Sequence, residues 1–425
     1  MTRLHLLDSA ILLLALAAPA TAQQRQEPSI AAALQENIQR AGINTHCYEF
    51  APIHDTKAPK GYKPFYISHY GRHGSRSDWG ASNYRDVALA LDKAKEAGIL
   101  TPEGDSLRQE AWKVFRLHDG MDGRLTQRGV REHAQLAENM YKRFPQVFRK
   151  GNGMIRAYSS TVQRCIISMT SFTNRLNEMQ PSLEFQWDTG ERFMDYISNG
   201  STEEIDKASA KMLDELDRSY VPDTTTIMRR LFTDPQKARE FVPDALAFEH
   251  KVFQTAKIAD SFDVPENLYR HLPFDAVYKW SEGISMLIYM RQCNSVELGP
   301  LRMATTEPLV RDFVEKADEV IEKGNWTADL RFGHDFPLLA FVNYLGLEGV
   351  GDRMTFDEAR VRWRGWENIP FASNFQAVFY RNKGGDVLVK FLYNEKETLL
   401  RGLQPVEGPY YRWNDVKAGI KGYLR

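Results

Sequence analysis

The chain is 425 residues long, 43% hydrophobic and 26% charged, with a net charge of −1. That is enough apolar material for one large domain or two moderate ones, and it excludes fibrous and disordered classes. The balanced charge gives a nucleic-acid partner no global support, so any affinity for an anion must come from locally clustered arginines, and a small anionic ligand is expected.

Residues 1–22 read as an export signal: Arg3, an apolar run over 10–18, then the small residues Ala20-Thr21-Ala22 typical of signal-peptidase cleavage. Nine apolar residues in a row are too few to span a bilayer, and no later stretch is long enough. A periplasmic or secreted protein without stable membrane insertion is expected. Asn199-Gly200-Ser201 and Asn325-Trp326-Thr327 are glycosylation patterns, relevant only in a host that glycosylates. Three cysteines, Cys47, Cys165 and Cys293, exclude a disulfide scaffold, and whether Cys47 and Cys293 pair stays open.

A short apolar strand over 64–68 leads into Tyr70-Gly71-Arg72-His73-Gly74-Ser75-Arg76. The spacing of Tyr84, Val87, Ala88 and Leu91 predicts a helix stopped at Gly98, and Leu107, Ala111, Val114 and Phe115 predict another. Thr126 is placed as the N-cap of a helix with an apolar stripe at Val130, Ala134, Ala137, Tyr141 and Phe144. A second strand over 154–158 follows, with Ser159 and Ser160 expected to cap a helix that buries Cys165, Met169 and Leu176 and carries Arg164 in its first turn. Residues 190–325 are charged, proline-broken and helical in period, and are expected to form a helical insertion or cap. Strand character returns at 329–333, followed by His334-Asp335 and a helix ending at Gly346; 375–380 and 387–392 read as a hairpin.

Three strand-to-helix junctions thus carry residues suited to phosphate: Arg72, His73 and Arg76 at the first, Arg164 after the second, His334 and Asp335 at the third. Arginine recognises phosphoryl oxygens in a bidentate, permanently charged manner, and a neutral histidine can carry a phosphoryl group covalently. In a doubly wound α/β fold such junctions gather at one edge of the sheet and line one crevice.

With Arg72-His73-Gly74-Ser75-Arg76, Leu125-Thr126-x-x-Gly129, a Ser-x-x-x-x-Arg run ending at Arg164 and the late His334-Asp335, the chain resembles the histidine acid phosphatases from about residue 60 onward. Leu330-Arg331-Phe332-Gly333-His334, Ala372-Ser373-Asn374 and Asn394-Glu395 look like the branch holding multiple inositol polyphosphate phosphatases. That group typically has His-Ala-Glu at the late motif, however, whereas His334-Asp335-Phe336 is the form of general acid phosphatases and many phytases, which leaves the substrate open. Asp78, beside the arginine cluster, is a second departure and is expected to weaken binding of highly phosphorylated substrates.

The resemblance implies a phosphoglycerate-mutase-like doubly wound core over 60–189 and 326–425, with 190–325 as a helical insertion. It implies a secreted phosphomonoesterase acting on inositol polyphosphates or other organic phosphates without cofactor or metal. His73 is the implied nucleophile and Asp335 the general acid, with Arg72, Arg76, Arg164 and His334 holding the phosphoryl oxygens. The phosphoglycerate mutases share Arg-His-Gly but typically continue with Glu where this chain has Ser75, and no metal-ligand spacing or phosphate-binding Gly-rich Lys-Ser/Thr loop is present. A secreted, non-catalytic phosphate binder is the alternative, although it would need neither nucleophile nor acid. His54, His69, His118 and His133 lie outside the matching motifs and are assigned structural roles.

Overall fold

The computed structural model describes residues 28–218 and 223–423; the expected export signal lies outside them. Among the described residues there are eight strands, β1 (Lys63–Arg72), β2 (Met154–Ser159), β3 (Glu184–Asp188), β4 (Ala328–Gly333), β5 (Asn374–Arg381), β6 (Val387–Tyr393), β7 (Lys396–Thr398) and β8 (Tyr410–Arg412). They form one sheet in the order β3-β2-β4-β1-β5-β6-β7, with β8 also on β6. The half from β3 to β1 is parallel, and β5 to β8 run antiparallel. The expected α/β sheet with a helical insertion is therefore present.

β1 runs four residues beyond the expected 64–68, to Arg72. It lies at the centre of the sheet between β4 and β5 and is covered on both faces, so Ser68, His69 and Arg72 are buried although they break any apolar run. Apolar layers pack on both sides. One carries Tyr66, Phe375 and Phe379 with Phe313 and Phe341; the other carries Ile67, Phe332 and Val378 with Leu136 and Phe172.

The parallel strands end flush. Arg72 of β1 is opposite Gly333 of β4, and Ser159 of β2 is opposite Phe332. Each then leads toward a helix, Ser82–Glu96, Gln163–Met179 or Asp335–Tyr344, so the three motif-bearing junctions share one edge. The described residues between β3 and β4 contain helices and no strand. Among these helices, Ala245–Ala259 and Thr224–Leu231 pack on Ser82–Glu96 and Pro102–His118, the pair that follows β1.

Two local expectations are corrected. Ser159 and Ser160 do not cap the next helix, whose N-cap is Val162 with no side-chain cap bond; Ser160 keeps the line of β2 by donating its N–H to the Phe332 carbonyl. Thr126 does cap Gln127–Arg143, accepting from the Gly129 N–H, and Ala137, Tyr141 and Phe144 of the expected stripe are buried, but toward its N-terminus the buried face of the helix is turned from that stripe. Gly129, Glu132, His133, Leu136 and Met140 are buried, while Val130 and Ala134 are only half-buried. The cause is contact: a Cβ on Gly129 would stand 2.4 Å from the Ser75 carbonyl oxygen, so this face meets the Arg72–Arg76 loop edge to edge. The hairpin β5–β6 stands as expected, whereas β3, β7, β8, the helix Trp413–Tyr423 and the N-terminal helix Ile30–Glu36 were not anticipated.

Candidate active site

The six motif residues Arg72, His73, Arg76, Arg164, His334 and Asp335 converge at the flush edge. Arg72 closes β1, and His73 follows it, donating its N–H to the Gly333 carbonyl of the neighbouring β4. The chain then turns under Gly74, where a Cβ would lie 2.6 Å from the Gly129 carbonyl oxygen, so only glycine fits. Ser75 is gripped from below: its N–H and hydroxyl donate to Glu132 at 2.7 and 2.6 Å, and its carbonyl accepts from both the N–H and the hydroxyl of Thr126. Leu125-Thr126-x-x-Gly129 is thus the dock for the arginine loop.

The His73 ring is 2% exposed, and its Nδ1 lies 2.9 Å from the Gly74 carbonyl. A carbonyl can only accept, so Nδ1 carries the hydrogen and the lone pair is on Nε2. Burial, with Arg72 and Arg164 nearby, holds His73 well below the usual histidine range, so the ring is neutral. Its centroid is 5.7 Å from that of His334 and 5.9 Å from Phe371.

Arg72, Arg76 and Arg164 are each at most 8% exposed. Arg72 is anchored by the carbonyls of Asn44 and Ile369 at 2.6 and 2.8 Å, lies over Phe371, and pairs with Asp335 at 3.0 Å. The Nε atoms of all three guanidiniums are buried and have no protein acceptor. Three buried cations face one half-buried carboxylate, an arrangement that favours an incoming anion.

Arg164 extends Nη2 to Nδ1 of His334 at 3.4 Å, which leaves the His334 hydrogen on Nε2, 3.1 Å from the Ser160 hydroxyl. Burial and Arg164 bring His334 down to about 4, against the opposing pull of Asp335. Asp335 is the first residue of its helix, not the N-cap, which is His334; its Oδ1 accepts the Phe336 N–H. Burial pushes its carboxyl up, but Arg72, the Asn44 amide and His334 outweigh this and hold it below the ordinary carboxylate value.

Cys165 is a buried structural thiol, raised to about 11 by burial and 3.2 Å from the Gly333 carbonyl. Cys47 and Cys293 are also buried and free. His69 and His133 pack around Phe172 and Phe332, while His118 bonds Tyr84 and Asp122. Asp78 is turned toward its own turn, accepting the Trp79 N–H at 2.9 Å. Sequence reasoning missed Asn44, Trp79 and Phe371. Asn44 and Phe371 sit in no motif and reach the site only by folding, whereas Trp79, three residues past Arg76, is an exposed aromatic next to the motif and was the one available signal.

The model of the histidine phosphatase superfamily (branch 2) matches residues 71–394. The fold is similar to the multiple inositol polyphosphate phosphatase of Bifidobacterium longum in complex with phosphate, at TM-score 0.73 and 18% identity over 90% of this chain and 97% of that one. It is also similar to the phytase of D. castellii, at TM-score 0.65 and 12% identity, covering 92% and 86% of the two chains. The Hafnia alvei phytase follows at TM-score 0.56 and 12% identity, covering 87% and 98%. No curated protein matches the sequence. The chain belongs to the histidine phosphatase superfamily, branch 2.

Proposed function

We propose that the protein hydrolyses phosphomonoesters, inositol polyphosphates among them, through a phosphohistidine on His73, and that it is exported by the segment 1–22. The observation that carries this reading is the His73 ring, neutral and tautomer-locked by Gly74 with its Nε2 lone pair free, among three buried guanidiniums. Nε2 attacks phosphorus and the ester P–O bond breaks. Asp335 gives its proton to the leaving oxygen, and its carboxylate then takes a proton from the water that cleaves the P–N bond, restoring both side chains. Arg72, Arg76 and Arg164 spread the charge that builds on the phosphoryl oxygens, and His334, protonated as the phosphate dianion raises its pKa, adds a fourth donor.

In the free protein Asp335 is held ionised by Arg72. A phosphate that draws Arg72 onto its own oxygens takes away that cation and adds a negative charge, and both changes raise the Asp335 pKa toward the protonated form the acid step needs. Together with a His73 that stays neutral in mild acid, this favours acidic operation.

The test is phosphate release from phytate and from p-nitrophenyl phosphate, with and without chelator, combined with alkaline-quench trapping of phosphoprotein. Chelator-resistant turnover and an acid-labile, base-stable phosphoprotein that is absent in His73→Ala are expected. Turnover without any His73-dependent phosphoprotein would overturn the covalent route.

A further inference from the structure

Trp79 follows Arg76 by three positions and is 64% exposed, yet its ring is engaged. The ring centroid is 4.4 Å from Cζ of Arg76 and 4.7 Å from Cζ of Arg164. Both distances are within the reach at which a guanidinium is attracted to the indole quadrupole, for which tryptophan is the strongest partner.

The two arginines come from different elements, the turn after β1 and the helix Gln163–Met179, and they repel each other. Their other anchors are few. Arg76 donates Nη1 to the adjacent Ser77 carbonyl at 2.6 Å, and Arg164 reaches the Gly123 carbonyl and His334 at 3.4 Å each. Among the described residues neither has a carboxylate within ion-pair distance.

The indole is seated from below as well. The main-chain N–H of Trp79 donates to Asp78 Oδ1 at 2.9 Å, and the Asp78 carbonyl accepts the Gly123 N–H at 2.7 Å. Gly123 stands at φ +62, and a Cβ there would be 3.1 Å from Trp79 Cε3, so the turn carrying Gly123 presses its bare Cα side against the ring.

We propose that Trp79 is a positioning residue whose indole holds the like-charged guanidiniums of Arg76 and Arg164 side by side, so that a phosphoryl group meets both already oriented. The proposal rests on the phosphatase reading for its kinetic readout and on anion binding alone for the rest. Without the ring, each guanidinium is free to swing into water, and the anion must then order both on arrival.

The test compares Trp79→Leu with Trp79→Phe by calorimetric binding of orthovanadate and by steady-state kinetics on p-nitrophenyl phosphate, with thermal melts to check folding. W79L is expected to weaken vanadate and to raise KM about tenfold with a smaller change in kcat. W79F keeps an aromatic face and is expected to stay within about threefold of wild type. A purely steric role would move both variants alike, so equal losses in W79L and W79F, or wild-type vanadate affinity in a folded W79L, overturn the proposal. Should W79L fail to fold, Gly123→Ala crowds the ring without removing it and is expected to weaken vanadate; unchanged affinity there overturns the proposal too. If the wild type binds vanadate but releases no phosphate, the hydrolytic reading fails while the vanadate comparison still decides the role of Trp79.

Discussion

Asn44 donates its side-chain amide to Oδ2 of Asp335 at 3.1 Å, while its main-chain carbonyl accepts from Arg72 at 2.6 Å. One residue, upstream of both motifs, therefore sets the relation between a buried cation and a half-buried acid. Its neighbour Ile43 sits at φ 51, a conformation a β-branched residue adopts at a cost of about 1–3 kcal/mol. The strain is concentrated where the chain must bend to deliver Asn44.

The first prediction concerns this contact. The Asn44 amide stabilises ionised Asp335, so Asn44→Ala raises the Asp335 pKa, and the form able to donate a proton persists to higher pH. The alkaline limb of the kcat/KM profile should move up by roughly half a unit to one unit, since a hydrogen bond to a charged group is worth about 1 kcal/mol or more. A limb that stays in place or moves toward acid contradicts the assignment of Asp335 as the acid.

Asp335→Asn should separate leaving groups. Asn at this first helical position can still accept the Phe336 N–H but has no proton to give, so alkyl phosphates should slow roughly a hundredfold or more. p-Nitrophenyl phosphate, whose leaving group needs little protonation, should suffer far less. Equal slowing of both esters in a folded variant would remove the general-acid role.

His73→Ala should abolish turnover while vanadate still binds, because Arg72, Arg76 and Arg164 remain to hold the anion. Turnover near the wild-type rate would exclude His73 as nucleophile.

Glu132 carries the arginine loop on two hydrogen bonds from Ser75 and one from the Tyr48 N–H. Burial pushes its carboxyl up, against these donors. Glu132→Ala leaves buried donors unpaired and should cost about 2–4 kcal/mol in urea unfolding, with Glu132→Gln costing less because it still accepts. Equal costs would mean that the hydrogen bonds from Ser75 contribute little.

His133 is fully buried, with neither ring nitrogen bonded, and burial lowers it from 6.5 to about 3. The unfolded chain therefore binds a proton that the folded chain refuses. Stability from this site is complete above pH 6.5 and is lost as pH falls toward 3, by up to about 5 kcal/mol. His133→Phe, which suits the aromatic contacts with Phe172 and Phe332, should flatten the acid side of a melting-temperature profile. A profile as steep as wild type would place the acid sensitivity elsewhere, with His69 next to test.

The local residue pattern determined a good deal by itself. Glycine, arginine and histidine in Arg72–Arg76, Thr126 before its helix, the β-rich runs of the hairpin and the His334-Asp335 pair are each short-range chemistry, written in consecutive residues, and these pointed to the fold class and to the residues that meet. Only tertiary structure decided what depends on neighbours distant in the chain. Glu132 and His133 lie off the apolar stripe of their helix, yet both are buried, because Gly129 has to meet Gly74. Ser160 read as a cap but is drawn to His334, 174 residues away in sequence. Asn44 and Asp335 are 291 residues apart, and no period or motif connects them. Periodicity reports which side of an element is apolar; it does not report which polar group a buried partner will claim, and in this protein that second choice sets the charge and protonation of the site.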